Sequence, residues 1–591
     1  MAESIISPSL YTNENDQSAV SKGPIVVGAA IVGPTVNGIP YVPTPVTSYS
    51  EYTSKFGTTF NNGTSGDAEY FTSIAAKNYF ENGGQTLLVT RITHAGTGSD
   101  ALSSFSSASI PSSGSLATSL TLETLAWGSQ MNNAGGTVVS GSLPSGSNAN
   151  VRWEVSQVNY TQGTFTLNVR SGNDTNSQKN ILETWSNLSM DVNQPNYVSR
   201  VIGNSKPAYT YSVTDGQGYI NQVGEYPNAS RYVRVASAPQ AQYNTFNNAG
   251  AYVAATYSSS LPAIGSGSVH GAFDGGVADT SLASSRYMFE NIVSGVTNAQ
   301  GFTSSDYAPA LNLLNNTDEY QFNILLTPGL FLAGGNAAIN LGANGADPIA
   351  TSEGRTDSIT IADPVPYGGT VVGTATAANA SNSSYGAAYW PWCQVFSSAM
   401  GKLVWVPASV VMGGVFAFTD KVSAPWFAPA GTIRGGIPNV VKVERKLSLA
   451  DRNILYADNI NPIANFPGEG VVVYGQKTLQ QKATALDRIN VRRLLIELKR
   501  FIGNVGRTLI FEQNTAATRN KFINKVNPYL DSIAQKQGLY SYDVVMDETL
   551  NTADVIDRNQ LIGQIYIQPT KTIEFVILDF VITPTGVDFS A

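Results

Sequence analysis

Side chains able to do covalent or redox chemistry are scarce in this chain. Two histidines, His94 and His270, stand far apart, and neither has a Cys, Asp or Glu at the spacing of a zinc ligand set. The single cysteine, Cys393, closes the apolar run Tyr389-Trp390-Pro391-Trp392, the setting of a core thiol and not of an activated one. One cysteine also leaves no intrachain disulfide, which excludes a disulfide-stapled secreted domain. There is no Gly-x-Ser-x-Gly elbow. Gly401-Lys402 is followed by Leu403 and lacks the upstream glycine of a phosphate loop. The segment from Gly265 to Gly271, GSGSVHG, reads as a flexible turn. The acidic pairs Asp547-Glu548 and Asp554/Asp557 could hold a cation, but read sooner as solvated strand ends. No catalytic group, metal site or cofactor is expected.

The chemistry that the sequence does concentrate is ionic. Residues 477–536 hold twelve Lys or Arg against four acids, a local charge of +8 in a chain whose net charge is −8. Such a block calls for an acidic partner surface, or for acids elsewhere in the same chain. The overall negative charge argues against a general nucleic-acid binder. The candidate docking residues are Arg488, Arg492, Arg493, Lys499, Arg500, Arg519, Lys521 and Lys525.

A helix must carry the first five of these. Thr484 three residues before Asp487 is an N-cap pattern, and Val491, Leu494, Leu495, Leu498 and Ile502 recur at steps of three and four. Gly503 is the expected end. Arg493 and Arg500 fall opposite that apolar stripe, where a solvated basic face and a docking face look alike. A strand is expected at Thr508–Glu512. A second helix follows, with Phe522, Val526, Leu530 and Ile533 on one side and Pro528 inside it, where proline kinks a helix or costs about 3 kcal/mol. Strands at Tyr542–Met546, Ile562–Gln568 and Ile573–Ile582 close the chain. The last is apolar on both alternating sets, as in a sheet covered on both faces.

Upstream, PIVVGAAIV (Pro24–Val32) reads as a buried strand. Ser48 to Gly57 is a short helix, Asp67 caps a longer one with Phe71, Ile74, Ala75 and Tyr79 inward, and Gln85–Ile92 returns as a strand. From 95 to about 205 the chain turns rich in Ser, Thr, Gly and Asn, with strand-like alternation at Val151–Val155 and Thr164–Val169, an inserted and mostly β domain with a loose lead-in. Regular structure is expected to resume around Tyr209–Val213 and Arg231–Val235, with a helix at Tyr307–Leu314 and a strand at Phe322–Leu326. Residues 340–382 read as loop or a small excursion. At 591 residues, with 13% charged, the chain is too long for one core, so several domains of an α/β and β multidomain protein are expected. No signal segment and no membrane-length apolar run are present, which predicts a soluble protein of a reducing compartment.

A series of segments resembles one family. Ser7-Pro8-Ser9-Leu10-Tyr11 with Glu14, Asp16, Gln17 and Ser18 is similar to the opening of contractile-tail sheath proteins of T4-like bacteriophages, although Ser9 replaces the usual glycine. Val46-Thr47-Ser48-Tyr49 with Phe56-Gly57, and Leu88-Val89-Thr90-Arg91, resemble its first α/β unit. Gly271-Ala272-Phe273-Asp274-Gly275-Gly276 is a rearranged form of a family turn. Ser384 to Trp392, Val406-Pro407 to Asp420, and Ala428-Pro429-Ala430 follow in order. Val473 to Thr478 and Asp487 to Leu494 carry the best match.

The resemblance implies a structural polymer and no enzyme. Subunits would stack as hexameric rings in a helical homo-oligomer around a tail tube, and the sheath would shorten to drive the tube through a bacterial envelope for genome delivery. The implied partners are the tube, baseplate and tail terminator proteins, with no direct nucleic acid and no stable membrane insertion. The implied location is the virion, after assembly in the host cytoplasm. An N-terminal arm (1–20) with Ile5, Ile6, Pro8, Tyr11 and Glu14, and a C-terminal arm (583–591) with Val587 and Phe589, preceded by Phe580 and Ile582, would pair as strands with other protomers. The implied domains are a middle α/β domain (21–94 and 206–383), an outer β insert (95–205) and a C-terminal sheath core (384–582) with helices packed on a sheet. The competing readings are a cell-surface or adhesion β protein and an enzyme of unrecognised class.

Overall fold

The computed structural model describes residues 25–26, 28–61, 67–93, 105–113, 118–160, 162–212, 217–238, 261–276, 304–332 and 348–574. His94, both expected arms and the expected strand beyond Glu574 lie outside these residues.

The frame is an eight-stranded sheet. Its order is Gly470–Val473, Ile460–Phe466, Gly386–Trp390, Ile359–Asp363, Ile324–Phe331, Ala29–Pro34, Leu87–Ile92 and Thr44–Val46. The six inner strands run parallel and the two edge strands antiparallel. Strands buried on both faces need no polar alternation, which is why GAAYW and ITIAD contain almost none. Ile359, Ile361, Ala387 and Tyr389 face one apolar core, whereas Ala362, Ala388 and Trp390 face another. The sheet thus joins segments from both sides of the boundaries expected at 94, 205 and 383.

Several expectations are corrected here. The described part of 340–382, residues 348–382, is not loop: it supplies helix Pro348–Arg355, the inner strand Ile359–Asp363 and helix Val371–Asn379, which Thr370 caps. Asp67 does not cap a helix. It ends a two-stranded turn against Asn61, and the helix begins at Phe71 without a side-chain cap. The short helix Tyr49–Phe56 is as expected, with Ser48 accepting from the Glu51 amide.

The insert is built from two three-stranded sheets, Val233–Ser237 with Leu120–Trp127 and Phe105–Ile110, and Ile181–Ser189 with Thr164–Ser171 and Val151–Asn159. Its apolar core takes in Val233, Val235, Leu261 and Phe273, well past residue 205, because Val233–Ser237 pairs back onto Leu120–Trp127. Gly271 sits at φ 79°, and a Cβ there would lie 2.0 Å from the Trp153 carbonyl oxygen, so this turn requires glycine. In the Val151–Ser171 hairpin, Trp153, Val155, Leu167 and Val169 point into the apolar core. On the other face Arg152 and Arg170 lie directly opposite each other. Like charges so placed repel. Asp174 answers both, at 3.2 Å from Arg152 and 2.7 Å from Arg170, and Glu154 takes Arg170 at 3.1 Å and Lys179 at 2.6 Å.

The C-terminal unit has a small core of its own. Leu494, Leu498 and Val505 of helix Ile489–Arg507 meet Phe522, Val526, Leu530 and Ile533 of helix Ala516–Gln535, and Leu539 and Met546 of the terminal hairpin. Thr484 caps only a short 3-10 turn, Ala485–Asp487, and the helix proper runs past Gly503 to Arg507. The strand expected at Thr508–Glu512 is a hydrogen-bonded turn that displays Ile510 and Phe511 to solvent. Helix Ala516–Gln535 continues through Pro528, and Phe501 stacks on Tyr529 at 3.6 Å between ring centres.

Candidate interaction surface

The apolar pattern of helix Ile489–Arg507 places its charges, because two cores claim two of its faces. Leu494 and Leu498 enter the C-terminal core, while Ile489 and Ile496, on the opposite face, enter the main one. Arg493 shares that second face, so it is drawn inside. Its guanidinium lies 4.8 Å above the Phe416 ring and donates to both Asp420 carboxylate oxygens, at 2.6 and 2.8 Å. Arg492 is buried too, 4.0 Å over Tyr385 and donating to the Ser384 hydroxyl. Burial pushes its guanidinium below the usual range, an effect the ring only partly offsets.

The other candidates divide. Arg519 is buried at the start of its helix, donating to Asn514 at 3.2 Å, with Glu548 at 3.9 Å. Arg500 pairs with Glu497 on its own helix at 3.0 Å and is partly exposed. Lys499, Lys521 and Lys525 are exposed. Arg492, Arg493 and Arg519 are therefore each enclosed by this chain. The sequence placed Arg493 opposite the apolar stripe correctly, but could not show that a second core covers that side.

Arg488 belongs to a polar cluster that the sequence reading missed. Its Nε and Nη2 donate to Glu574 at 2.6 and 3.1 Å, and Asp487 stands 3.0 Å from Nη1. Glu574 also accepts from the Tyr456 hydroxyl at 2.8 Å and from Gln476 Nε2 at 3.1 Å. Lys477, its ammonium 4.5 Å above the Tyr456 ring, is held below the ordinary lysine range by burial and by Arg488. Gln476 and Lys477 stand in the Val473–Thr478 motif, the one signal that could have pointed here.

The terminal hairpin pairs Leu539–Val545 with Gln564–Pro569. Among the described residues each of these strands pairs only with the other, so their outer edges carry unpaired backbone groups. Beside the first strand opens a cleft of about 530 Å³, lined by Ala516, Arg519, Ile523, Val544, Met546 and Glu548 among others. Asp547, at its rim, accepts from the Thr549 hydroxyl and amide, which hold its carboxyl below the usual range. Asp554 pairs with Arg558 at 2.6 Å.

Cys393 and His270 are both engaged by their surroundings. Cys393 is buried 3.8 Å from the Pro391 carbonyl, and burial pushes its thiol up, away from the thiolate. His270 sits in a tight turn with its carbonyl accepting from Arg152. Among the described residues no group of three or more His, Cys, Asp or Glu could hold a metal ion, and no helix is long and apolar enough to cross a membrane.

Residues 301–479 match the family described as "Phage tail sheath protein central domain", and residues 481–583 match "Phage tail sheath C-terminal domain". The tail sheath protein of Vibrio phage KVP40 is 45% identical over 186 residues, 32% of this chain and 28% of that protein. That of Enterobacteria phage T4 is 44% identical over 185 residues, 31% of this chain and 28% of that protein. These matched stretches thus span under a third of either relative. The sheath tail protein from Listeria innocua, a solved structure, shares the fold with a TM-score of 0.52 across 92% of this chain and 95% of that one, at 8% identity. Residues 301–583 are thus similar, in order, to the central and C-terminal domains of phage tail sheath proteins.

Proposed function

We propose that the protein is the structural subunit of a contractile tail sheath, polymerising as stacked hexameric rings around a tail tube and shortening to drive it through a bacterial envelope. The observation that carries this is the colinear match of its central and C-terminal parts to the two sheath domains. The terminal hairpin supports it, because two strands with open edges are half of a sheet. The expected strand arms, with Ile5, Ile6, Pro8, Tyr11 and Glu14 at one end and Phe580, Ile582, Val587 and Phe589 at the other, supply strands that neighbours would add. Contacts that repeat head to tail without closing build a filament.

On this reading the tube lies against the exposed lysines Lys499, Lys521 and Lys525, with Arg500 beside them. Screened ionic contacts of about 0–1 kcal/mol each release readily, yet a ring repeats every one of them. Baseplate and terminator proteins would cap the two ends within the virion. The work is mechanical and not catalytic.

Negative-stain images of the purified full chain test this directly. Hollow cylinders are expected, with tube protein speeding their growth. Removal of residues 1–20 is expected to leave a folded monomer that forms none. A full chain that stays monomeric at every concentration and salt, with or without tube, would refute the reading.

A further inference from the structure

Glu574 ends a short crossing between two separately packed cores. The hairpin belongs to the C-terminal core and closes at Pro569, where Thr570 donates to the Gln537 carbonyl at 2.7 Å. Four residues later Glu574 is held by Tyr456, Gln476 and Arg488, which stand at the edge of the main domain and at the root of helix Ile489–Arg507. Thr572 also accepts from Gln476. Thr572 and Glu574 therefore turn inward, and Ile573 between them turns outward, 84% exposed. That alternation is the one an extended strand has. One carboxylate taking four donors, two of them from one guanidinium, is strong and directional where a patch of apolar contact is not.

We propose that Glu574 is the positioning residue of a clasp that sets where the C-terminal segment, residues 575–591, leaves the subunit for a second copy of the chain. The proposal rests on the reading that this segment pairs with a neighbour. With the clasp closed, the segment starts from a point fixed on the main domain. With it open, the last fixed point retreats to the hairpin and the tether gains about five free residues. Its reach then spreads as the square root of its length, and the effective concentration of the segment at a neighbour falls. Ile573, already outward, becomes the first apolar side chain offered to that neighbour.

The test uses the full chain in three variants: Glu574→Gln, the exchange of Arg488→Glu with Glu574→Arg, and a deletion of 575–591. Three readouts are followed: deuterium exchange of amides 570–574, polymerisation rate by light scattering, and Tm. Glu574→Gln is expected to raise exchange and to slow polymerisation, each about tenfold, with Tm unmoved. The exchanged pair is expected to restore most of the rate, which a merely structural role would not require. Unchanged exchange in Glu574→Gln would overturn the clasp. Raised exchange with full-rate polymerisation would overturn its positioning role. Normal polymerisation of the deletion would instead overturn the arm reading, and the clasp with it.

Discussion

The insert and the C-terminal unit both carry clustered arginines, and they handle them in opposite ways. In the insert, Arg152 and Arg170 are fully enclosed and answered by acids of the same module, Glu154 and Asp174. Its charges are spent within one module. In the C-terminal unit the answering groups come from other parts of the chain: Asp420 and Phe416 for Arg493, Tyr385 for Arg492, Glu574 for Arg488. There these three guanidinium groups join units, while Lys499, Lys521 and Lys525 are left outside with Arg507 and Arg558. A self-contained ionic core suits a module that hangs on the frame, whereas charges spread over a junction suit a part that must hold its angle to the frame under load.

Removing Asp174 should break this comparison most visibly. Asp174→Ala leaves two enclosed guanidinium groups without their shared acid, at a cost of about 3–5 kcal/mol. Limited proteolysis should then open the insert while cleavage within 489–574 stays unchanged. If both regions opened together, the insert would not be a separate module. Next in size is Leu530→Ala, which empties part of the small C-terminal core and should cost about 2–5 kcal/mol, read as loss of hairpin protection in deuterium exchange.

The main sheet supplies an internal reference with a pH signature. Asp363 accepts from the Ser409 amide at 2.9 Å and from its hydroxyl, yet burial pushes its carboxyl up to about 7. Its folded-state pKa lies above its unfolded one, so the folded state holds the proton more tightly. The stabilisation is fully present below about pH 4 and is lost as pH rises through about 7, with a slope of up to about 1.4 kcal/mol per pH unit between. Asp363→Asn can keep both bonds and should flatten that slope in thermal melts from pH 5 to 8, without changing the protease patterns of insert or hairpin. The smallest stability effect belongs to the exposed lysines. Lys521→Glu with Lys525→Glu should move stability by under about 0.5 kcal/mol, while tube-templated assembly weakens and loses its salt dependence. Unaltered templating would remove these lysines from the tube contact.

Local signals with a local cause were legible in the sequence. The Ser48 cap, the strand around Ala29–Pro34 and the stripe of Leu494, Leu498, Phe522, Val526 and Leu530 follow from side chains a few residues apart. The inner strand Ile359–Asp363 was hidden, because five residues buried on both faces show no alternation, and small Ala and Gly around it resemble a loop composition. The helix from Ile489 was half legible. Its periodicity gave the C-terminal face, but not the second face on which Ile489 and Ile496 enter the main core. Arg492 and Arg493 were read as surface groups for the same reason. The Glu574 cluster joins residues 118 positions apart, Tyr456 and Glu574, and no spacing rule spans such a gap.

That doubly claimed helix has a mechanical consequence. It is 19 residues long, a rod of about 28 Å, rooted in the main core at Ile489 and Ile496 and in the C-terminal core from Leu494 to Val505. No slack linker stands between the two bodies. A tug on the terminal hairpin therefore arrives at the eight-stranded sheet as thrust or tension along one stiff spar, and the subunit transmits displacement where a flexible tether would absorb it.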